Sequence, residues 1–345
     1  MRITANQALD MLRSDDLLGV GHEADVVRHR LHPGNVVTYI VDRNINYTNV
    51  CTEYCSFCAF YRPVRSADAY VLPLEVIVQK IEETVALGGT GVLMQGGHHP
   101  DLKLDYYERI LRALKLRFPH VHLHCFSAPE ILHISEVSEL SLQETLLRLK
   151  DSGLDSIPGG GAEILDDEIR QRISRLKCST DEWLQVHRLA HRIGLRTTAT
   201  MMFGCGEKLE HRVNHLARIR QLQDETGGFT AFIPWLFQPA NNALGRIIKE
   251  EASAVDYLKT LAVTRAYLDN ILNVQASWLT PGLKLCQIGL RFGGNDVGSI
   301  LIEENVVRAA GVTNRTNEAE LRRLIADAGF RPVKRDTLYR TYFLH

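Results

Sequence analysis

What most constrains the fold of this chain is a regular alternation between two hydrophobic periodicities. Short β-rich runs stand at VVTYIV (36–41), TGVLMQ (90–95), VHLHCF (121–126) and LDSI (154–157). They continue at LRTTATMMF (195–203), FTAFIPWLF (229–237), VQASWL (274–279) and LRFGGNDVG (290–298). Between them, apolar residues recur three and four apart, as at Ile77, Ile81 and Val85, at Val186, Leu189, Ala190 and Ile193, and at Val213, Leu216 and Ile219. Ser179 with Glu182 reads as a capping box, and Gly88-Gly89, Gly153 and Gly194 each close a helix just before a strand. Strands alternating with helices predict an α/β fold, and eight of them fit a (β/α)8 TIM-type barrel better than a doubly wound sheet. Residues 1–35 are expected to form two helices (5–18 and 21–31), 36–304 the barrel core, and 305–345 helices followed by a β-hairpin around RPVKRDTLYRTYF.

Charge narrows the function classes. Forty Lys and Arg against 41 Asp and Glu leave a formal net charge of −1, which argues against bulk binding to nucleic acid or an anionic membrane. The greasiest stretch, 229–239, has the length of a strand and falls short of a membrane span. The opening MRITANQALDMLRSDD lacks an apolar core, so it is not expected to act as a signal peptide. Seven cysteines in a chain this long do not make a disulfide framework; they are expected in a reducing cytoplasm, in metal or redox chemistry.

That chemistry concentrates at Cys51, Cys55 and Cys58, a C-x3-C-x2-C segment expected in the loop after the first barrel strand, on the face where barrel active sites gather. Structural zinc would want four ligands, and Cys125, Cys178, Cys205 and Cys286 are solitary and scattered. Three thiolates on a four-iron cluster would leave one iron open, the mark of a reactive centre. The histidines divide differently. His120, His122 and His124 share one strand face without an aspartate partner, and the pairs His187/His191 and His211/His215 lack the Glu of a zinc protease helix. His98 and His99 are candidate bases, with loop packing as the alternative.

The string NINYTNVCTEYCSFCAFYRP (44–63) resembles the radical S-adenosylmethionine (SAM) superfamily, in its menaquinone and deazaflavin branch. The likeness extends through QGGHHPDL (95–102), SIPGGGAEIL (156–165), TMMFGCGE (200–207) and GGNDVGSILIEENV (293–306). It implies a radical SAM barrel with one 4Fe-4S cluster on Cys51, Cys55 and Cys58, the fourth iron chelated by SAM as cosubstrate. Reductive cleavage would then release a 5′-deoxyadenosyl radical. The implied SAM contacts are Phe57, the turn Gln95-Gly96-Gly97, Ser127, Glu130, Glu163 and Glu207. That turn lacks the acidic member usual in such families, and its glycines are expected to let the backbone approach the ligand. For Glu163 and Glu207 ordinary turn chemistry is the alternative, and for Ser127 and Glu130 a helix cap.

The substrate implied is dehypoxanthine futalosine, closed to a spiro product after hydrogen abstraction from C4′. Aminofutalosine or deazaflavin synthesis are sister activities, and a cluster-bearing electron carrier or a zinc hydrolase would be the non-radical alternatives. Arg62, Arg65 and Arg246 are candidates for the substrate's carboxylate. A ferredoxin or flavodoxin is the expected electron donor, with neither nucleic acid nor membrane as partner.

Overall fold

The computed structural model describes residues 2–248 and 250–340. Two helices lead, α1 (Ala5–Arg13) and α2 (Leu17–Leu31). Ser14 to Asp16 separate them, since Asp16 caps α2 by accepting from the Gly19 amide at 2.8 Å. The barrel strands are β1 (Val36–Ile40), β2 (Asn44–Ile45), β3 (Gly91–Met94), β4 (His122–Cys125) and β5 (Ser156–Ile157). They continue with β6 (Arg196–Phe203), β7 (Phe229–Leu236), β8 (Asn273–Val274) and β9 (Asp296–Ser299), and β10 (Arg331–Lys334) ends the series. Strands β2 to β8 form a parallel sheet in chain order, and a second parallel sheet has the order β10–β1–β9.

Backbone hydrogen bonds join the two sheets into a TIM-type barrel. Ala276 donates to the Asp296 carbonyl at 2.8 Å, which ties β9 to the end of β8. On the other side Ile302 donates to Asp42 at 3.2 Å and Asn44 to Glu303 at 3.3 Å, where β1 runs on into β2.

Crossover helices α3 (Leu74–Ala86), α4 (Leu104–Arg117), α5 (Ala128–Val137), α6 (Leu142–Asp151), α7 (Asp167–Ile173) and α8 (Thr180–Arg192) cover the first strands. Helices α9 (Leu209–Thr226), α10 (Ala254–Tyr267) and α11 (Leu283–Gly289) cover the rest, and α12 (Val306–Ala309) and α13 (Glu318–Asp327) precede β10. The expected capping box opens α8: Glu182 accepts from the Ser179 amide at 2.8 Å and Ser179 Oγ from the Glu182 amide at 3.3 Å. Helix α8 buries Trp183, Val186 and Ala190 completely, each large apolar side chain being worth about 1.5–3 kcal/mol of burial. Among the described residues no helix is long and apolar enough to cross a membrane.

Three expectations need correction. The run at 36–41 forms β1, but the two-residue β2 intervenes before the cysteines; it is too short to carry a period of its own. The apolar residues Leu290 and Phe292 belong to the turn that ends α11, and the strand begins only at Asp296. Of the expected C-terminal hairpin, the described residues form one strand: β10 pairs parallel with β1, and a turn held by Asp336 follows. Residues 341–343 of that expected hairpin lie outside the described residues.

The segment after β10 has a positional role. Arg335 donates from its backbone to Tyr39 O and forms a bidentate pair with buried Asp296, at 2.6 and 3.0 Å. A Cβ on Gly91, at the N-terminal end of β3, would lie 2.7 Å from Thr337 Oγ1. The described part of the segment therefore covers the barrel's N-terminal end, where Arg335, Thr337 and Tyr339 line the interior.

Candidate functional site

A cavity of about 440 Å³ occupies the barrel axis, from the loop after β2 down to Arg335, Thr337 and Tyr339. Cys51, Cys55 and Cys58 line its mouth, and none is in a disulfide. Their loop is fixed at both ends: Cys51 donates to Arg62 O at 3.0 Å, and Arg62 donates back to Asn49 O at 2.7 Å. In the middle, Ser56 donates to Ile173 O at the end of α7 at 2.9 Å, and Leu244 donates to Ser56 O at 2.8 Å. Burial raises the Cys51 and Cys55 thiols, so the protein alone does not stabilise their thiolates. Three soft donors at one lip of the cavity, Cys55 buried and Cys51 and Cys58 half-buried, fit a metal–sulfur centre, which takes up the thiolates and releases their protons.

Behind the cysteines, Glu53 Oε1 and His98 Nδ1 lie 3.0 Å apart. Burial lowers the pKa of His98, against the opposing pull of Glu53, so the imidazole is neutral at pH 7. His98 lines the cavity. His99 does not; its Nδ1 accepts from the Asp101 amide at 3.2 Å, a loop contact.

The Gln95-Gly96-Gly97 turn also lines the cavity, and its glycines answer to neighbours within the chain. A Cβ on Gly96 would sit 2.6 Å from the Tyr47 ring and one on Gly97 2.1 Å from Val50 O. Packing against the cysteine loop, rather than ligand approach, is what demands glycine there. An acid is nevertheless present, supplied from α5. Glu130 Oε1 accepts from the Gly96 amide at 2.9 Å and Tyr47 OH at 2.8 Å, and Oε2 from the Ser127 amide and hydroxyl at 2.8 and 2.6 Å. Burial pushes the Glu130 carboxyl up while these bonds oppose it. With four donors around it, Glu130 caps α5 and pins the turn; Ser127 is part of the same cap.

Across the cavity, Gly159 is tied to β6 by its amide to Thr198 Oγ1 at 2.9 Å and by Thr200 Oγ1 to its carbonyl at 2.8 Å. Glu163 follows, at φ +40°. Its Oε1 accepts from Lys177 Nζ at 3.1 Å, while Oε2 is buried without a hydrogen-bond partner. Burial works against the Lys177 charge, yet Glu163 overcomes it and the ammonium's pKa is raised. The ammonium also lies 5.7 Å from the centre of the Phe57 ring. Lys177 escaped the sequence reading because an isolated Lys between Leu176 and Cys178 carries no motif.

Glu207 is placed elsewhere. It lines a separate depression with Arg212 and Asp256, and it is not among the residues lining the axial cavity. It accepts from the Gly204 and Cys205 amides, each at 2.8 Å, and from Arg212 Nε at 2.7 Å. Burial raises its pKa more than any other single influence, but Arg212 and the backbone amides together hold it below the usual carboxylate value.

The three candidate arginines also lie off the cavity lining. Arg62 donates to Asp68 at 2.5 Å and to the carbonyls of Ala59, Phe60 and Tyr61. Arg65 and Arg246 are exposed. The cations that do line the cavity, Lys177 and Arg335, were not singled out by sequence. Nor was Asp42, although Ile40, Asp42, Asn44 and Asn46 line it at a strict period of two.

Comparison with known proteins bears on this geometry. Residues 45–219 match the radical SAM superfamily, and residues 226–344 match the CofH/MqnC C-terminal region. The chain is 46% identical to a cyclic dehypoxanthine futalosine synthase from Halalkalibacterium halodurans over 98% of its own length and 91% of the relative's. A protein of the same name from Streptomyces coelicolor is 44% identical, covering 100% of this chain and 86% of that one. A 5-amino-6-(D-ribitylamino)uracil–L-tyrosine 4-hydroxyphenyl transferase from Archaeoglobus fulgidus reaches 45% over 95% of this chain and 96% of its own. Among solved structures, methylornithine synthase superposes with a TM-score of 0.73 at 20% identity, covering 96% of this chain and 94% of that one. That likeness speaks for the fold alone.

Proposed function

Because the chain belongs to the radical SAM superfamily, in the group that carries the CofH/MqnC C-terminal region, we propose that it closes dehypoxanthine futalosine to its cyclic spiro product. The observation that carries this reading is near-full-length identity of 46% and 44% to two cyclic dehypoxanthine futalosine synthases. The enzyme is of the radical SAM type and works with a 4Fe-4S cluster and SAM. Cys51, Cys55 and Cys58 hold that cluster, leaving one iron for SAM. When bound, the cluster and SAM supply a carbon-centred radical that removes the C4′ hydrogen.

The chain's own residues bind, orient and exclude water. Phe57, the Gln95–Gly97 turn and Glu163 line the same cavity as the cysteines and are the proposed SAM contacts. The unpartnered Glu163 Oε2 calls for a donor, and the ribose hydroxyls of SAM supply one. Ser127 and Glu130 hold the turn in place. His98, neutral and held by Glu53, is the proposed proton acceptor. A barrel covered at its lower end suits a radical that must be kept from solvent and aimed at one hydrogen. The proposed setting is the cytoplasm, with a ferredoxin or flavodoxin as reductant and with helical residues 1–35 and an extension 305–345 flanking a 36–304 core.

The test is anaerobic incubation of reconstituted protein with dithionite, SAM and dehypoxanthine futalosine deuterated at C4′. Deuterium in 5′-deoxyadenosine and a product two hydrogens lighter than substrate are expected. An adduct of the vinyl-ether benzoate that retains the adenine of SAM, or a product requiring tyrosine and ribitylaminouracil, would assign a sister activity instead. The latter is favoured by the 45% identity to the Archaeoglobus transferase.

A further inference from the structure

Polar and aromatic side chains line different parts of the cavity, and their placement bears on how the substrate lies. The cavity's interior end, below the cysteines, is polar: Asp42, Asn44, His124, Thr198 and Gln275 face it from five strands or strand ends. Most of these groups already have partners within the chain. Asn44 donates to Glu304 at 2.7 Å, His124 Nδ1 is paired with Ser156 Oγ at 2.6 Å, and Thr198 Oγ1 accepts from the Gly159 amide. The floor is spent as well, since Arg335 is pinned by Asp296 and donates to Asp336 O. Asp42 differs. Its Oδ1 is buried without a hydrogen-bond partner, while the side chain as a whole keeps surface toward the cavity. A buried acceptor left unpaired is costly, and a ligand donor would recover that cost.

The adjoining wall, from the ends of β7, β8 and β9, is aromatic and apolar. Trp235, Trp278, Leu279 and Leu301 form it, and Trp278 spends its only polar hydrogen on Ser299 O at 2.9 Å. Among the described residues, the lysine and arginine that line the cavity, Lys177 and Arg335, are both paired with carboxylates of the chain itself. The site there fits a neutral polyhydroxyl group.

We propose that the interior end of the cavity is the seat of the substrate's sugar, with Asp42 Oδ1 accepting from a sugar hydroxyl and the arene lying against Trp235 and Trp278. The inference rests on the substrate reading above and adds the direction in which that substrate lies. The aryl carboxylate then points away from Asp42, whose carboxyl burial already pushes up and which a second negative charge would push further. Specificity for a substrate bearing hydroxyls follows, because an analogue lacking them leaves Asp42 unpaired.

The experiment is isothermal titration of reconstituted native protein, Asp42→Ala and Asp42→Asn with two probes: dehypoxanthine futalosine and its aryl-ketone fragment lacking the sugar. Asp42→Ala is expected to weaken the whole substrate about ten- to a hundredfold while the fragment binds all three proteins equally. Asp42→Asn, which keeps an acceptor oxygen and the side-chain shape, should fall between. Iron content and the urea-denaturation midpoint should not change, which separates a local effect from misfolding. Equal loss of both probes, or unchanged affinity for the whole substrate in Asp42→Ala, would overturn the assignment. Failure of the native protein to bind dehypoxanthine futalosine would instead defeat the substrate reading and this inference with it, and that failure shows before any variant is made.

Discussion

Two glycine-rich turns, each ending in a glutamate, follow neighbouring strands, and they do opposite things. After β5, Gly159-Gly160-Gly161 leads to Glu163, whose Oε2 is buried and unpaired in the axial cavity. After β6, Gly204-Cys205-Gly206 leads to Glu207, whose carboxylate is saturated by two backbone amides and Arg212. The sequence signatures are nearly alike. What differs is the helix behind each: α9 sends Arg212 back to Glu207, and Arg212 is itself held by Asp256. Glu163 receives only Lys177, on one oxygen. An acid at a strand end is therefore a ligand group or a structural group according to how many donors the chain gives it.

Cysteines offer the hardest test of this contrast, because Cys205 lies within the second turn. Replacing Cys51, Cys55 or Cys58 by Ala should abolish the intact cluster and 5′-deoxyadenosine formation. Cys205→Ala should keep both, as should the same change at Cys125, Cys178 or Cys286. Iron analysis and the visible spectrum of reconstituted protein check this, and loss of the cluster in Cys205→Ala would erase the distinction between the turns.

The glutamates themselves come next in size. Glu163→Gln should weaken SAM binding about ten- to a hundredfold with unchanged iron content, the loss of one charge-assisted hydrogen bond. Glu207→Gln should leave SAM affinity within about twofold and instead lower folding stability by about 1–3 kcal/mol, since Arg212 is left buried with Asp256 alone. Equilibrium dialysis and urea denaturation read the two effects separately. A swapped outcome would reverse the assignment of the turns.

The same contrast marks how far the sequence could be read. The barrel was legible because its strands and helices keep their periods, and the cluster site because three sulfur donors within eight residues have few other uses. The glutamates were legible as acids at strand ends, but their roles were not. Donor count depends on residues five positions on, as for Arg212, or fourteen, as for Lys177, and only the tertiary fold brings these back. Asp42 was hidden for a related reason: the chain bends between β1 and β2, so its period-two placement shows only once the barrel closes.

Acid should separate the turns by a smaller margin. His215 stands behind the first, where its Nδ1 accepts from the Leu165 amide at 2.9 Å. Burial lowers its pKa to about 3, so the folded protein keeps it neutral while the unfolded chain protonates near 6.5. The unfolded state then binds more protons below pH 6.5, and stability falls as pH falls, by about 2 kcal/mol from this residue down to pH 5. Glu207 has a lowered pKa, so its contribution is complete above about pH 4.3 and is lost only as pH falls through its folded value. Urea denaturation of native protein and His215→Gln across pH 5 to 7 should show a shallower slope for the variant. Equal slopes would mean that His215 does not report on the first turn.

The smallest expected effects belong to the arginines that stand outside both turns. Arg65 and Arg246 are exposed and do not line the cavity, so their charges reach a bound carboxylate only through water and salt. At physiological ionic strength screening acts over about 8 Å, which leaves little of an exposed charge's attraction for a group inside the barrel. Arg65→Ala and Arg246→Ala should therefore change substrate affinity by less than about twofold, within the range of ordinary surface charges. Arg62 differs from them in kind: its guanidinium closes the cysteine loop on three of that loop's own carbonyls. Arg62→Lys, unable to reproduce that fork, should slow cluster reconstitution while leaving the substrate affinity of fully loaded protein unchanged. Reconstitution kinetics followed by the visible spectrum, with titration of the loaded protein, distinguish the two roles. A tenfold loss of substrate affinity in loaded Arg62→Lys would restore Arg62 as the carboxylate's partner and require its side chain to leave Asp68 when substrate enters.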